Sequence, residues 1–518
     1  MPNLSRKLFN DLQNKMEEKA PFNEEVIFFR SKENLPKLVE DVFKGLEFVE
    51  GIRFVKCEID TDRKIYKERK QVTEEKKENK KGKARKINHP TVNIEESRFI
   101  RIKVTMELSD GKETIQKEIK LLFPELLDQQ YFLINGNEFF PVFQMNDSEY
   151  YRTNDGIIVL KTMFMPIKIK GKKVVLSDID ERFNNGEPLK TRALMTLLFK
   201  KTVNVMNYYF AGKGVVETLR YFNIHNYVEI VKTEDHDITS PEYYFFQLTK
   251  SIALKVNREW IESDQKSNAT LIATLVDLFK YNRIDYEKSF DSDYWKRKLG
   301  SVFTNNNSMT FDKAISILSS FERLLDNTTR SNLRLRSEDK EDIYAIVRNM
   351  ITNYYNILKV DNHSLSNKRL RVNEYLFYDL TQKLSKGGYR LVGPKNNNVS
   401  KLKTLFSNIK EDYLVNNIPN SELVRFSNNV NSMDLFTRYL KGSVKGPQSA
   451  TANGLSVSAR GIYPSFVGKI DLVSTSSGDP GSSFTVVPFC KKYDPNNSGT
   501  FFFEKKPDIE GFLTDYDD

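Results

Sequence analysis

From Ile100 to Met106 apolar residues fall on every second position, with Ile100, Ile102, Val104 and Met106 alternating with Arg101, Lys103 and Thr105. That is the period of a strand with one buried face. The turn-forming run Ser109-Asp110-Gly111 follows, and Thr114 to Leu122 resumes the alternation, which predicts a β-hairpin. Shorter apolar segments at 128–145 and 156–169, broken by Asn135-Gly136 and Pro166, extend a mixed α and β region with a sheet over the first 170 residues. From about Thr191 to about Lys386 the repeat lengthens to about 3.6 residues, in TRALMTLLFKKTVNVMNYYF, ATLIATLVDLFKYNR, FDKAISILSSFERLLD and EDIYAIVRNMITNYYNIL. A helical middle is expected, its Phe, Tyr, Leu and Ile stripes being core faces rather than cofactor contacts. After Leu391 the chain turns rich in Gly, Ser, Asn and Pro, the texture of loops held by short strands and helices. No repeat of fixed period is present.

At 518 residues the chain has room for about three domains at roughly 150 residues each. Its 39% hydrophobic and 29% charged content is that of a globular protein and excludes wholesale disorder. Two cysteines, Cys57 and Cys490, are too few for a disulfide framework and fit a reducing compartment. The N-terminal stretch reads as an amphipathic helix, because acidic residues interrupt the region where a secretory signal would be apolar. No window approaches about 18 consecutive apolar residues, so no membrane span is expected.

The net charge of +10 is concentrated in one place: Arg63 to Lys86 holds twelve Lys and Arg against four Glu, a net of +8. With almost no apolar residue after Tyr66, this run reads as a mobile, solvated loop, with phosphate contact as the alternative.

Motifs for small-molecule chemistry are sparse. His89, His225, His236 and His363 are scattered, without HExxH or cysteine partners, which gives no support to a zinc site or a histidine-based triad. Gly212 and Gly214 do not continue into GxGxxG, and no GxxxxGK[ST] occurs, so the usual nucleotide cradles are missing. Asp494 followed by Glu504-Lys505-Lys506 has the spacing of a magnesium nuclease, but a short pattern in a chain rich in Asp, Glu and Lys arises readily from surface charges.

A stronger signal spans Ser421 to Gly478. Arg425, Arg438, Lys441, Lys445, Arg460 and Lys469 stand among glycines and small hydroxyl residues, and between Leu435 and Lys469 there is no Asp or Glu, in a chain with 70 of them. A wall facing a polyanion needs that composition: Lys and Arg neutralise phosphates while Ser, Thr, Asn and Gln donate to backbone oxygens.

At these residues the chain resembles the fork region of bacterial-type RNA polymerase β subunits, the wall that faces the RNA–DNA hybrid. Ser421, Leu423, Phe426, Asn431, Thr437, Ser443, Gly446, Pro447, Arg460, Pro464, Gly468, Thr475 and Gly478 fall on that family's pattern without a gap. Upstream, KEIKLLFPELLDQQYFLINGNEFFPVFQM is similar to a segment of the family's protrusion domain, with Phe132, Ile134, Asn135, Gly136 and Glu138 in register. SGTFFFEKKPDIEGFLTD resembles the strand after the fork, which makes Glu504 and Lys506 sheet residues. The chain departs from the family where Leu440 and Lys441 replace paired arginines, where Arg438 and Asn428 replace a histidine and an acid, and where Ser474 to Gly478 replace ETPEG. These departures and the Asn- and Lys-rich composition resemble the split β subunits of giant bacteriophages.

The resemblance implies an α+β multidomain chain. Residues 1–150 would form a mixed protrusion-like domain with a sheet, with 67–90 a disordered basic loop. Residues 151–390 would form a largely helical inserted lobe-like domain, 391–430 the return to the protrusion, and 431–518 a loop-rich fork region with the start of the following sheet. The implied function is to form part of the DNA channel and the wall along the hybrid. Lys441 and Arg460 would contact RNA or template phosphates, Arg425, Asn428 and Arg438 would line the hybrid, and Lys469 would add to the basic set. Ser443, Gly446 and Pro447 would shape the fork loop. No catalytic residue or metal ligand is expected on this chain, since no DFDGD triplet occurs; magnesium would sit on a β′ chain. Expected partners are a β C-terminal fragment, β′ fragments, a promoter-specificity subunit, the DNA template and nascent RNA, with no membrane. The setting would be the cytoplasm of an infected bacterium, with packaging in the virion the alternative. Two other classes remain open: a structural protein that binds nucleic acid on its own, and a magnesium-dependent nuclease.

Overall fold

The computed structural model describes residues 34–60, 98–127, 131–148, 150–176, 187–234, 240–280, 284–333, 335–371, 376–392, 398–426, 441–446, 461–473, 483–485, 490–491 and 502–503. The fold is mixed α+β. Strands Ile52–Asp60, Phe99–Ser109 and Thr114–Pro124 pair antiparallel in that order, and the last two are the hairpin that the alternation predicts. Gly111, at φ +83°, closes its turn, while the Asp110 carboxylate accepts from the backbone N–H groups of Glu113 at 2.8 Å and Lys112 at 3.0 Å. Those two bonds, Glu113 first, hold the Asp110 carboxyl below its ordinary range. Helix Asn34–Lys44 covers the sheet with Leu38, Val39, Val42 and Phe43, all buried. Burial, aided by Glu40 and Glu58, pushes the Cys57 thiol up to about 12, so it is protonated at neutral pH and a poor nucleophile.

A second antiparallel sheet has five strands in the order Lys201–Asn204, Leu189–Leu198, Ile167–Leu176, Ile158–Leu160, Tyr150–Arg152. This corrects the helical expectation for the start of TRALMTLLFKK. The apolar residues of ALMTLL satisfy either period over so short a run, and the paired strand Ile167–Leu176 decides between them through a register from Lys168↔Leu197 to Leu176↔Leu189. The turn into the next strand is Phe199-Lys200, both left-handed at φ 49° and 60°. Two-residue hairpins of that hand normally carry Asn or Gly, so the usual signal for a break was missing. Strands Val228–Lys232, Ile252–Asn257 and Tyr243–Gln247 form a further antiparallel sheet inside the stretch expected to be helical.

Around these sheets the helical periodicity holds. Helices Val205–Lys213, Gln265–Lys280, Ser292–Phe303, Thr310–Glu322 and Ile343–Thr352 enclose an aromatic core of Tyr208, Tyr209, Phe210, Phe279, Trp295 and Phe321. Three of them start at side-chain caps: Asn204 accepts from Met206 N, Asp291 from Asp293 N and Asp342 from Ala345 N. Among the described residues no helix is long and apolar enough to cross a membrane.

From strand Phe143–Asp147 the chain goes on to build the five-stranded sheet, the further three-stranded sheet and these helices, then returns to pair with that strand at Lys368–Arg371, with Lys368 opposite Asp147. The basic run from Arg63 to Lys86 lies outside the described residues.

Candidate nucleic-acid interface

Strand Phe143–Asp147 is also the anchor of the candidate wall. Its four-stranded sheet runs Lys368–Arg371, Phe143–Asp147, Lys441–Ser443, Ser483–Thr485. Lys441–Ser443 lies parallel to the first-half strand, Gly442 opposite Phe143 and Ser443 opposite Gln144, and antiparallel to Ser483–Thr485. The position between needs a glycine: a Cβ at 442 would lie within 2.8 Å of three ring carbons of buried Phe484.

The loop after this strand is held from inside. Ser443 is buried, and its Oγ accepts from Lys445 N at 3.1 Å. Gln144 is fully buried, and its Nε2 donates to the Lys445 carbonyl at 3.2 Å. Gly446 adopts φ +123°, and a Cβ there would stand 2.7 Å from Leu423 Cδ1 and 2.8 Å from Gln144 Nε2. Leu423 in turn accepts from Val142 N at 2.9 Å and leads into strand Val424–Phe426, which pairs antiparallel with Asn137–Pro141. That strand joins Tyr131–Ile134 through Asn135-Gly136, left-handed at φ 53° and 74°. Thus the two stretches that carry the family resemblance, far apart in sequence, are neighbours in space.

The site residues take different places in this frame. Arg425 is exposed, on the strand opposite Phe140. Lys441 is half-buried at the head of its strand, opposite Thr485. Ser443, buried, and Gly446, half-buried, hold the backbone of the loop through the contacts just given. Lys469 follows the turn Pro464–Phe466, its N–H donating to the Phe466 carbonyl at 3.0 Å. Asn428, Arg438, Pro447 and Arg460 lie outside the described residues, as do Asp494, Glu504 and Lys506.

Segment 461–473 is tied to the same sheet by Asp471 N donating to Thr485 O at 2.8 Å. Its other end meets the chain's return from the helical region. Leu365 N donates to Ser465 Oγ at 3.1 Å, and His363 stacks on Tyr463 with centroids 4.7 Å apart and rings 6° from parallel. His363 therefore has a packing partner, while His225 is exposed; His89 and His236 lie outside the described residues. Along this segment Ile462, Val467, Leu472 and Val473 are exposed, Val473 at 92%. Among the described residues no three His, Cys, Asp or Glu side chains gather as a metal site would require.

Acid depletion also marks residues that the sequence reading passed over. Asp and Glu are missing from 156–177, from 188–216 and from 380–410 as well as from 435–469. The first two runs supply the neighbouring strands Ile167–Leu176 and Leu189–Leu198, which carry Lys168, Lys170, Lys172, Lys173, Lys190 and Arg192. Reading the helical and strand periods alone conceals this pairing; a scan for acid-free windows would have found it.

No curated protein matches the chain. All of it, residues 1–518, matches the family model described as Non-virion RNA polymerase subunit, and the chain belongs to that family.

Proposed function

We propose that this RNA polymerase subunit is the N-terminal part of a split β-type subunit, and that its segments 421–446 and 461–473 form a wall along the RNA–DNA hybrid. One observation carries the reading. Gln144 and Lys445, 301 residues apart, share a hydrogen bond that, with Val142, Leu423 and Gly446, joins the two family-like stretches into one continuous frame. A sequence match produced by accident gives no reason for its two halves to pack on each other.

Arg425, Lys441, Lys445 and Lys469 lie on this frame or beside it, in or next to the stretch from 435 to 469 that lacks acids. Such cations hold phosphate oxygens without reading base sequence, which is what a polymerase needs from a wall past which every template moves. Nucleotidyl transfer itself needs clustered carboxylates that hold metal ions around the attacking and leaving oxygens. We assign these, and the magnesium, to β′ fragments, the remainder of the channel to a β C-terminal fragment, and promoter choice to a further subunit. The exposed apolar side chains from Ile462 to Val473 suit burial against one of these polymerase subunits. The family's description is of a polymerase not carried in the virion, so the enzyme would act in the cytoplasm of the infected bacterium.

The test uses the assembled enzyme. Lys441→Glu combined with Arg460→Glu is expected to leave subunit assembly intact and to abolish extension of RNA on a preformed RNA–DNA scaffold, because two phosphate contacts become repulsions. Wild-type extension rates from this double variant would refute the wall.

A further inference from the structure

In the five-stranded sheet, the register sets Lys173 directly opposite Arg192 and Val175 opposite Lys190. Side chains directly opposite on antiparallel strands share a face, and so do residues two apart on one strand. Lys173, Lys190 and Arg192 therefore form a triangle of positive charge on one face of a two-stranded ribbon. Lys173 and Lys190 are exposed and Arg192 is half-buried, its aliphatic stem lying over Gly171, where a Cβ would come within 2.6 Å of Arg192 Cδ. Like charges directly opposite destabilise a strand pair. Among the described residues none of the three has an acidic partner within ion-pair distance, whereas Lys172, on the other face, is bound to Asp277 at 2.8 Å. Helix Gln265–Lys280 thus supplies an acid to Lys172 on the other face, and no described residue supplies one to the triangle.

We propose that Lys173, Lys190 and Arg192 bind the phosphate backbone of duplex DNA. Residues two apart along a strand are separated by about 7 Å, on the order of the distance between neighbouring phosphates of one DNA strand. Among the described residues the exposed large apolar side chain on this face is Val175, an aliphatic one, and none on it offers an exposed aromatic ring on which an unpaired base would stack. The chemistry is therefore that of a backbone contact indifferent to sequence. The inference rests on membership of the polymerase family and does not depend on the hybrid wall.

The experiment measures binding of the assembled polymerase to fluorescent duplex DNA across a sodium chloride titration. Each phosphate contact contributes about 0.9 to the slope of log K against log salt. Lys173→Gln, Lys190→Gln and Arg192→Gln together are expected to lower that slope by about 2.7, and to weaken duplex binding more than binding to a single strand of equal length. Extension from a preformed RNA–DNA scaffold is expected to stay at the wild-type rate, which separates this site from the wall. An unchanged slope overturns the proposal, and an equal or larger loss on single-stranded DNA overturns the duplex assignment. Because the substitutions remove a like-charge contact, the variant should melt no lower than wild type. If it fails to assemble, Lys173→Gln alone should lower the slope by about 0.9, and no change in that single variant likewise overturns the site.

Discussion

Replacing Gly442 with valine is expected to pull the Lys441–Ser443 strand out of its sheet and to remove transcript extension with it. Even the first carbon of the new side chain would fall within 2.8 Å of three ring carbons of Phe484, which is 4% exposed and cannot swing into solvent without leaving the core. The strand cannot retreat either, since it is paired on one side to Phe143 and Gln144 and on the other to Ser483–Thr485. Overpacking of this kind costs about 1–3 kcal/mol, or more where the backbone is fixed on both sides. The lower melting temperature and the lost extension should both be relieved in part by adding Phe484→Ala, because the ring that clashes is then gone. Such non-additivity is the signature of two groups in contact. A Gly442→Val chain that melts and transcribes like wild type would mean that the sheet is not assembled this way.

The second large effect is expected at Trp295. Its ring is fully buried, edge-to-face against Phe210 at 5.1 Å and Phe279 at 5.2 Å, and its Nε1–H donates to the Ser289 carbonyl at 2.8 Å. Trp295→Ala removes the centre of the aromatic core between helices Val205–Lys213, Gln265–Lys280 and Ser292–Phe303, and leaves the Ser289 carbonyl without its donor. Truncating a buried Trp to Ala costs about 3–5 kcal/mol, a large share of the roughly 5–15 kcal/mol that separates native from unfolded states. Denaturant titration should show the loss. Trp295→Phe should recover much of the packing but not the hydrogen bond, so its midpoint should fall between those of wild type and the alanine variant. Equal midpoints for the alanine variant and wild type would contradict the core described above.

Local periodicity made several elements legible in advance. The Phe99–Ser109 and Thr114–Pro124 hairpin follows from strict alternation around a turn with Asp and Gly, and the long helices follow from their apolar stripes. Leu189–Leu198 was hidden because its apolar run fits two periods and its turn uses Phe199-Lys200 instead of Asn-Gly. For the site, composition pointed to the basic, acid-free stretch, and resemblance pointed to the two motif regions. Their contact was not readable from sequence. It depends on Gln144 lying under Lys445 and on Gly446 lying against Leu423, and nothing local to either segment encodes a partner 301 residues away. Ser443 shows the same limit: that it is buried and that its Oγ accepts from Lys445 N–H is not announced by any pattern local to it.

Inside the working polymerase the Lys441–Gly446 loop is proposed to lie against nucleic acid. The most direct measurement places a photo-crosslinking side chain at Val444, on that loop, and irradiates an elongation complex halted on a labelled RNA–DNA scaffold. Crosslinks are expected from this position to the hybrid, at nucleotides that shift in step as the complex is walked forward. Crosslinks only to protein, or crosslinks to nucleic acid that do not move with the RNA end, would contradict it.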